Sequence, residues 1–414
     1  MLMAAPDCLS SSCFTLYNNN NNNSLFSSLH SKWPRLMKNN SLGRTRPLTR
    51  LCKASLITSP DSFEVGRLVG SYGFINITSY SGFKDTGGLR AQKMRDGSVN
   101  IRLYEGRVVG GPLRGTPILF KVYPGKRVGG SEADMMAANE LNAHAVLQST
   151  LKGIGQNLIL LVGGFETITG EQWLAFRNHG KYSAADYAKF TSEKISQIRS
   201  QGEYYWNPFA QAEMIKRRRH FVIKLLRGAM SGLALMHNND RLHQSLGPAS
   251  VVLNTVAERE AAYLVPRLRD LAFSVDVRLS YLEESSGALS EGLWRRASAA
   301  GAFTPMEKRT FGIADDIYEA GLLFAYLAFV PFCEAGAVDI LSLQRLLEST
   351  FQLDLEAMRE YCLADDRLLE AVTFLDLGDG AGWELLQAML NPNFRKRPSA
   401  EAVLNHRFMT RAVH

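Results

Sequence analysis

The chain has 414 residues, of which 46% are hydrophobic and 21% are charged. This balance is typical of a folded globular protein and argues against a disordered chain, and the length allows one large domain plus an extension. The five cysteines show no C-x-x-C spacing, so neither a disulfide framework nor a zinc site is predicted. The longest apolar run, residues 321–332, is too short to span a bilayer and indicates a buried helix.

Residues 1–53 differ from the rest of the chain. They contain one acidic residue, Asp7, against seven Lys or Arg, and they include serine runs and six consecutive asparagines at 18–23. A Ser-rich start that is poor in acidic residues is typical of an organelle transit peptide, and residues 50–55 resemble a plastid processing site. We therefore predict a plastid transit peptide at 1–53 that is removed, and a chloroplast location in the stroma or peripherally on the thylakoid. Low-complexity disorder is the alternative interpretation.

The transit segment also decides how the charge is interpreted. It contributes +6 of the formal net charge of +7, so the remaining chain is nearly neutral and no nucleic-acid partner is expected. The one dense basic run lies at residues 216–220, at the head of a predicted helix. A run of this length is usually a solvated helix face, and docking on an acidic partner or an anionic lipid is the alternative.

The hydrophobic pattern changes from strands to helices along the chain. Apolar or alternating segments predict strands at 63–68, 74–80, 99–108, 118–123, 158–165 and 172–176. Residues 80–98, rich in Gly, Lys, Arg and Asp, indicate an exposed loop. Helical periodicity follows at 131–148 and then predicts helices at 184–200, 208–237, 341–351, 366–374, 383–390 and 400–412.

Residues 243–253 form the most informative segment, reading H-Q-S-L-G-P-A-S followed by V-V-L. They resemble the catalytic loop H-R-D-L-K-P-x-N of eukaryotic-type protein kinases. Ser245 occupies the position of the catalytic-base aspartate, Gly247 that of the loop lysine and Ser250 that of the metal-binding asparagine. A serine hydroxyl is far too weak a base to replace a carboxylate near neutral pH. The resemblance therefore implies a kinase fold in which no catalytic residue is intact, with His243 as a core histidine that supports the loop.

Other motifs of the family follow in the expected order. Asp270 begins D-L-A where the family has D-F-G, which implies a magnesium-binding aspartate, although an ordinary turn aspartate is the alternative. Lys121 in the apolar strand 118–123 matches the phosphate-pairing lysine, and Glu140 in the following helix matches its partner. An exposed lysine at a sheet edge is the alternative for Lys121, but a charge between apolar neighbours is costly to bury without a partner.

The phosphate loop is the poorest match in the first half of the chain. Gly70 and Gly73 keep the second and third glycines of G-x-G-x-x-G, and Leu68 replaces the first. Glycines are needed there because backbone amides must approach the phosphates without a Cβ in the way. The long gap from Gly73 to Lys121 implies an insertion near 80–98, and whether 74–80 or 100–108 is the second strand stays open.

The remaining motifs are architectural. The segment 315–321 resembles the D-x-W-S-x-G start of the large central helix, with Asp316 as its structural aspartate, and 304–307 resembles A-P-E. Arg397 in the closing segment is expected to form a structural salt bridge with Glu307. The resemblance spans 63–409 and implies an α+β, bilobal protein-kinase-like fold: a small antiparallel-sheet lobe plus one helix at 54–176, a hinge at 177–180 and a mostly helical lobe at 181–414.

Three functions follow from the resemblance. The chain is expected to be a plastid pseudokinase, a regulatory or scaffold protein that binds ATP and, weakly, Mg²⁺ through the predicted site residues Gly70, Gly73, Lys121, Glu140 and Asp270. The first alternative is a divergent active Ser/Thr kinase, because phosphoryl transfer depends mostly on positioning and electrostatics. The second is an assembly subunit of a plastid complex with an empty cleft. The expected partner is a plastid protein, and peripheral membrane association stays open.

Overall fold

The computed structural model describes residues 56–74, 99–150, 156–200, 208–284 and 290–411. The predicted transit peptide and the predicted insertion near 80–98 lie outside these residues. The described chain has two parts, a five-stranded antiparallel sheet with one long helix and a larger helical part, as the α+β prediction expected.

The sheet is built from strands in the order β1-β2-β3-β5-β4. Their bounds are β1 Phe63–Phe74, β2 Val99–Val108, β3 Pro117–Tyr123, β4 Leu161–Glu166 and β5 Gln172–Arg177. Val99–Val108 is therefore the second strand, which answers the question that the sequence left open. The predicted strand 63–68 is the first half of one continuous strand, because register shifts on either side of Leu68 keep β1 paired with β2 across the glycines. Residues 75–80 lie outside the described chain.

Helix α1, Lys126–Thr150, covers one face of the sheet. Gly130 combines a positive φ (64°) with an extended ψ (−170°), which interrupts the helix after its first turn, so the regular helix starts at the predicted position. The helix packs Ala137 and Leu141 into a core with Ile101 and Leu174 of the sheet. This packing places the neighbouring Glu140 next to Lys121 of β3.

The second part is mostly helical and includes five very short strands. The helices are α2 Ala184–Ser200, α3 Pro208–Asn238, α4 Leu279–Glu284, α5 Glu291–Ala299, α6 Pro305–Phe329, α7 Ile340–Arg345, α8 Leu355–Leu363, α9 Leu369–Leu375, α10 Leu377–Met389, α11 Ala400–Asn405 and α12 Arg407–Arg411. The strands are β6 Tyr182–Ser183, β7 Arg241–Leu242, β8 Val251–Leu253, β9 Arg267–Leu268 and β10 Val275–Asp276. Helices α3 and α6 form the centre of the core, where Phe221, Leu225 and Phe324 are fully buried.

Several helix boundaries differ from the prediction, among them the starts of α9 (Leu369, predicted 366) and α10 (Leu377, predicted 383) and the end of α7 (Arg345, predicted 351), and two further differences have a local cause. Helix α6 begins at Pro305 rather than near Asp315, because Thr304 and Glu307 form a reciprocal capping box around Pro305. Asp316 therefore lies inside the helix. The predicted helix 400–412 is two helices, because His406 is extended (φ −63°, ψ 147°) and its Nδ1 accepts a hydrogen bond from Phe408 N at the start of α12.

Candidate functional site

Lys121 is the centre of a buried polar cluster where the sheet, α1 and the 270–274 segment meet. Its Nζ lies 2.6 Å from Glu140 Oε2 and 3.1 Å from Asp270 Oδ1, and the residue is 4% exposed. The predicted Lys121–Glu140 ion pair is thus formed, and the interpretation as an exposed edge lysine is wrong. Burial opposes the charge on Lys121, but the surrounding acidic groups, led by Glu140, outweigh it and raise its pKa well above the ordinary value.

Asp270 reaches this cluster from a strained turn. Its backbone is left-handed (φ 68°, ψ 55°) at the start of a short 3₁₀ turn, Leu271–Phe273. Helix α1 holds the turn: Leu271 N donates to Glu140 Oε1 at 3.2 Å, and Asn139 Nδ2 donates to Ala272 O at 2.8 Å. The turn and the charge cluster are therefore one structure, and the carboxylate is only 2% exposed.

Two tyrosines complete the cluster. Tyr72 of β1 donates its hydroxyl to Asp270 Oδ1 at 3.0 Å, and its ring centre lies 5.7 Å from Lys121 Nζ. Tyr123 at the end of β3 donates to Glu140, and its ring centre is 5.3 Å from the same ammonium. Burial, reinforced by the nearby carboxylates, raises the pKa of both phenols, so both remain hydrogen-bond donors. Tyr72 was not predicted from the sequence, where its only signal is an aromatic residue between Gly70 and Gly73.

The 243–250 loop lies directly below Asp270. His243 is fully buried; its Nε2 is 3.0 Å from Arg269 O, and its Nδ1 accepts from Ser245 N at 3.3 Å. Ser245 donates its hydroxyl to the backbone oxygen of Asp270 at 2.8 Å. The side chain at the position of the kinase base is therefore a structural donor that ties the two segments together.

Ser250 has a similar structural bond within the loop. Its Oγ donates to Gly247 O at 2.7 Å and accepts from Gly247 N at 2.8 Å, which closes a tight turn, and the residue is fully buried. The hydroxyl at the position of the metal-binding asparagine is therefore already used by hydrogen bonds within its own turn. Positions 245, 247 and 250 together supply no carboxylate, no ammonium and no side-chain amide.

Asp316 of α6 holds the same loop from behind. Its Oδ2 accepts from His243 N at 2.8 Å and lies 2.9 Å from His237 Nε2, and its Oδ1 accepts from Gln244 N at 2.9 Å. Burial alone would raise the pKa of Asp316, but these bonds, led by His237, bring it below the ordinary value. Nearby Glu319 accepts from Leu246 N at 3.0 Å, and burial followed by repulsion from the acidic neighbours raises its pKa well above the ordinary value.

The predicted Glu307–Arg397 salt bridge is wrong. Glu307 is an exposed capping residue and lies 3.4 Å from the Nη2 of Arg395 instead. Arg397 turns inward: it donates to Asn391 O at 2.8 Å and to Ala314 O at 3.0 Å, and its guanidinium lies 4.6 Å from the ring centre of Tyr318. Because Glu307 belongs to the capping box, it does not pair with Arg397, and Arg397 instead binds backbone carbonyls of Asn391 and Ala314.

The cluster partly fits a nucleotide and its metal ion. Gly70 has open space where a Cβ would project, so packing does not require a glycine there and a ligand has room to approach. Among the described residues, no group of three or more His, Cys, Asp or Glu is arranged to hold a metal ion. A bound magnesium ion would take Asp270 and otherwise phosphate and water oxygens.

Comparison with known proteins gives one weak and one extensive likeness. No family model matches the sequence. A curated protein, the chloroplastic serine/threonine-protein kinase STN7 of Arabidopsis thaliana, is 24% identical over 210 residues, covering 48% of this chain and 37% of that protein. The chain thus aligns with little more than a third of that relative's length. The crystal structure of a Stt7 homologue from Micromonas algae, soaked with ATP, matches with a TM-score of 0.53 at 17% identity over 89% of this chain and 97% of that one.

Proposed function

We propose that this chain, which has the fold of the protein kinase superfamily, is a chloroplast pseudokinase: a regulatory or scaffold protein that binds ATP weakly and does not transfer its phosphate. One observation carries the proposal. The side chains at the base and metal-ligand positions, Ser245 and Ser250, are serines, and both hydroxyls are hydrogen-bonded to backbone oxygens. Neither can accept the proton of a substrate hydroxyl or complete a magnesium site.

Two neighbouring carboxylates, those of Asp316 and Glu319, are poorly placed to act as a substitute base. Asp316 is fully buried and bonded to two backbone amides of the loop. Glu319 accepts a hydrogen bond from Leu246 N, and burial, followed by its acidic neighbours, raises its pKa well above the ordinary value. A general base must lie within hydrogen-bond reach of the proton that it removes. This geometry favours the pseudokinase over the divergent active kinase.

Nucleotide binding is supported by the charge arrangement around Lys121 and weakened by its present contacts. The lysine ammonium of Lys121 makes short contacts with the carboxylates of Glu140 and Asp270. In kinases, groups in these positions pair the phosphates and bind the metal ion. The Tyr72 hydroxyl, however, bonds to Asp270, so a nucleotide must displace it. We therefore expect weak ATP binding with a shallow dependence on Mg²⁺, since Asp270 is the one carboxylate left to coordinate it.

The chloroplast assignment rests on two observations. The N-terminal segment has the composition of a plastid transit peptide, and the relative that matches by sequence is a chloroplastic protein. Within the part of the chain that the structure describes, no helix is long and apolar enough to cross a membrane. We place the protein in the stroma or at the thylakoid surface, where its partner is a plastid protein.

A second candidate function is a scaffold that binds no nucleotide. It is favoured by the same contacts: Lys121 is 4% exposed and its charge is already satisfied by two carboxylates, one of which Tyr72 also contacts. A buried charge that is paired within the protein does not need a ligand to stabilise it. The two candidates differ in whether ATP stabilises the folded protein.

The test is thermal unfolding during an ATP titration, with and without Mg²⁺. We expect ATP to stabilise the wild type, by about 2.7 kcal/mol once its concentration reaches roughly a hundred times the dissociation constant. Tyr72→Ala should bind ATP several-fold more tightly because it removes the competing hydroxyl and ring, whereas Tyr263→Ala, at an exposed tyrosine, should not. Lys121→Ala and the length-preserving Lys121→Met should abolish the effect. If ATP stabilises neither the wild type nor Tyr72→Ala, the result favours the nucleotide-free scaffold.

A further inference from the structure

A cavity of about 840 Å³ lies in the helical part, away from the Lys121 cluster. It is formed by the first half of α3, the 3₁₀ segment Glu258–Tyr263 and Leu377 at the start of α10, and it shares no residue with the candidate site. Its volume falls within the range of pockets that hold small ligands. It is lined by the basic run that the sequence suggested to be a solvated helix face.

The cavity has an excess of positive charge. Lys216, Arg217, Arg219 and Arg259 line it, against the carboxylates of Glu213 and Glu258. Both carboxylates are already paired, Glu213 with Arg217 at 3.0 Å and Glu258 with the buried Arg218 at 2.9 Å. Lys216 and Arg259 have no ion-pair partner among the described residues. The cavity thus presents cations whose charge the protein does not neutralise.

Arg219 supplies an independent sign of a missing acceptor. Its Nε is buried and has no hydrogen-bond acceptor among the described residues, although its Nη2 lies 3.6 Å from Glu370 Oε2. Burial lowers the pKa of Arg219, as expected when a guanidinium is desolvated with incomplete compensation. A buried donor without an acceptor is costly, and an anionic oxygen within reach of this guanidinium would satisfy it.

A buried ion pair holds Glu258, one of the residues that line the cavity. Arg218 is only 3% exposed and donates from Nε to Glu258, which also accepts from the Tyr187 hydroxyl at 3.1 Å. The solvated-face interpretation is therefore wrong for this residue. Ala261 and Ala262 line the cavity with small side chains that leave room for a ligand.

From this combination we infer that the cavity binds a small phosphate-bearing anion, such as pyrophosphate or a phosphate monoester, at a site separate from the proposed nucleotide site. Guanidinium forks and a lysine ammonium are the side chains that suit phosphate oxygens best. The inference does not depend on whether the Lys121 cluster binds ATP.

The experiment is calorimetric titration of the full chain with inorganic pyrophosphate. The cavity variant Lys216→Ala/Arg259→Ala removes two exposed cations that have no ion-pair partner among the described residues, so folding should be unaffected. The matched control, Lys194→Ala/Lys396→Ala, removes two exposed lysines that do not line the cavity. We expect binding to weaken by at least roughly tenfold in the cavity variant, the loss of one or two charge-assisted contacts, and to be unchanged in the control.

Two further measurements are needed. One distinguishes binding in the cavity from binding at the Lys121 cluster, and the other distinguishes a small ligand from a lipid surface. Lys121→Met should retain pyrophosphate binding, because the Lys121 cluster shares no residue with the cavity. Phosphatidylcholine vesicles with phosphatidylglycerol should bind no better than vesicles without it. Binding to the anionic vesicles without binding of free pyrophosphate would overturn the assignment to a small ligand. Absence of pyrophosphate binding, or equal weakening in the cavity and control variants, would overturn the site.

Discussion

At the scale of single residues, Ser245 and Ser250 have become structural parts of the loop. Each hydroxyl donates to a backbone oxygen, that of Asp270 for Ser245 and that of Gly247 for Ser250. A carboxylate at position 245 could not donate to the Asp270 carbonyl and would place negative charge beside it. A single Ser245→Asp substitution should therefore leave phosphotransfer near background, because residues that act as a unit are strongly non-additive.

The Lys121 charge should be important for folding as well as for a ligand. Lys121→Ala leaves Glu140 buried without its cation and removes the 3.1 Å contact of Asp270, whose other oxygen stays 3.4 Å from Arg269, so we expect a loss of about 3–5 kcal/mol in the free energy of unfolding. The exposed pair Arg67–Glu105 is the control, and Arg67→Ala should cost less than about 1 kcal/mol. Urea denaturation measures both. Equal losses in the two variants would show that the buried cluster is not structurally required.

His144 should make the protein sensitive to acid. It is packed edge-on against Phe176, its Nε2 has no hydrogen-bond partner among the described residues, and burial, aided by the charge of Lys121, lowers its pKa to about 3. The unfolded chain takes up this proton near pH 6.5, so the stability linked to neutral His144 is complete above about pH 6.5 and is lost as the pH falls toward 3.

The measurement is urea denaturation of the wild type and His144→Leu at about pH 7 and about pH 5. On acidification the wild type should lose up to about 1.4 kcal/mol per pH unit more than His144→Leu, since the variant lacks this proton uptake. Comparing the two proteins removes the contributions of all other titrating groups. Parallel losses in both proteins would contradict a depressed pKa at His144.

At the scale of elements, periodicity predicted helices well and their ends less well. The predicted helix at 184–200 has the bounds of α2, and 208–237 falls one residue short of α3, because both have long apolar faces bounded by polar segments. The start of α6 was misplaced because Thr304 and Glu307 were interpreted as a family motif, although they also have the spacing of a capping box. The break at His406 depends on a side-chain cap that periodicity does not show.

The corrected pairing of the closing segment gives a prediction at this scale. Arg397 donates to two backbone oxygens and covers the Tyr318 ring, whereas Arg395 makes an exposed 3.4 Å contact with Glu307. Arg397→Ala should therefore lower the free energy of unfolding by about 2–3 kcal/mol, and Arg395→Ala by less than about 1 kcal/mol. Chemical denaturation of the two variants checks this, and the reverse order would contradict the structural role assigned to Arg397.

At the scale of the whole molecule, the site joins segments that are far apart in the sequence. Lys121 and Asp270 are separated by 149 positions, yet the order of family motifs was enough to predict that they share a site with Glu140. The position of Tyr72 was not predictable, because it depends on where the β1 side chains point once β1 and β2 are paired. The sequence thus indicated which charged groups meet, and the fold determines what else occupies the space between them.

The central claim is that this kinase-like fold has lost phosphoryl transfer. The most direct test is transfer of radiolabelled phosphate from ATP, with Mg²⁺, to the protein itself and to a generic acceptor protein, using chain purified free of other kinases. The wild type should show no transfer above that of Lys121→Ala or Lys121→Met, because Ser245, Gly247 and Ser250 supply neither base, ammonium nor metal ligand. Clear turnover by the wild type that disappears in both Lys121 variants would contradict the pseudokinase account and identify a divergent active kinase.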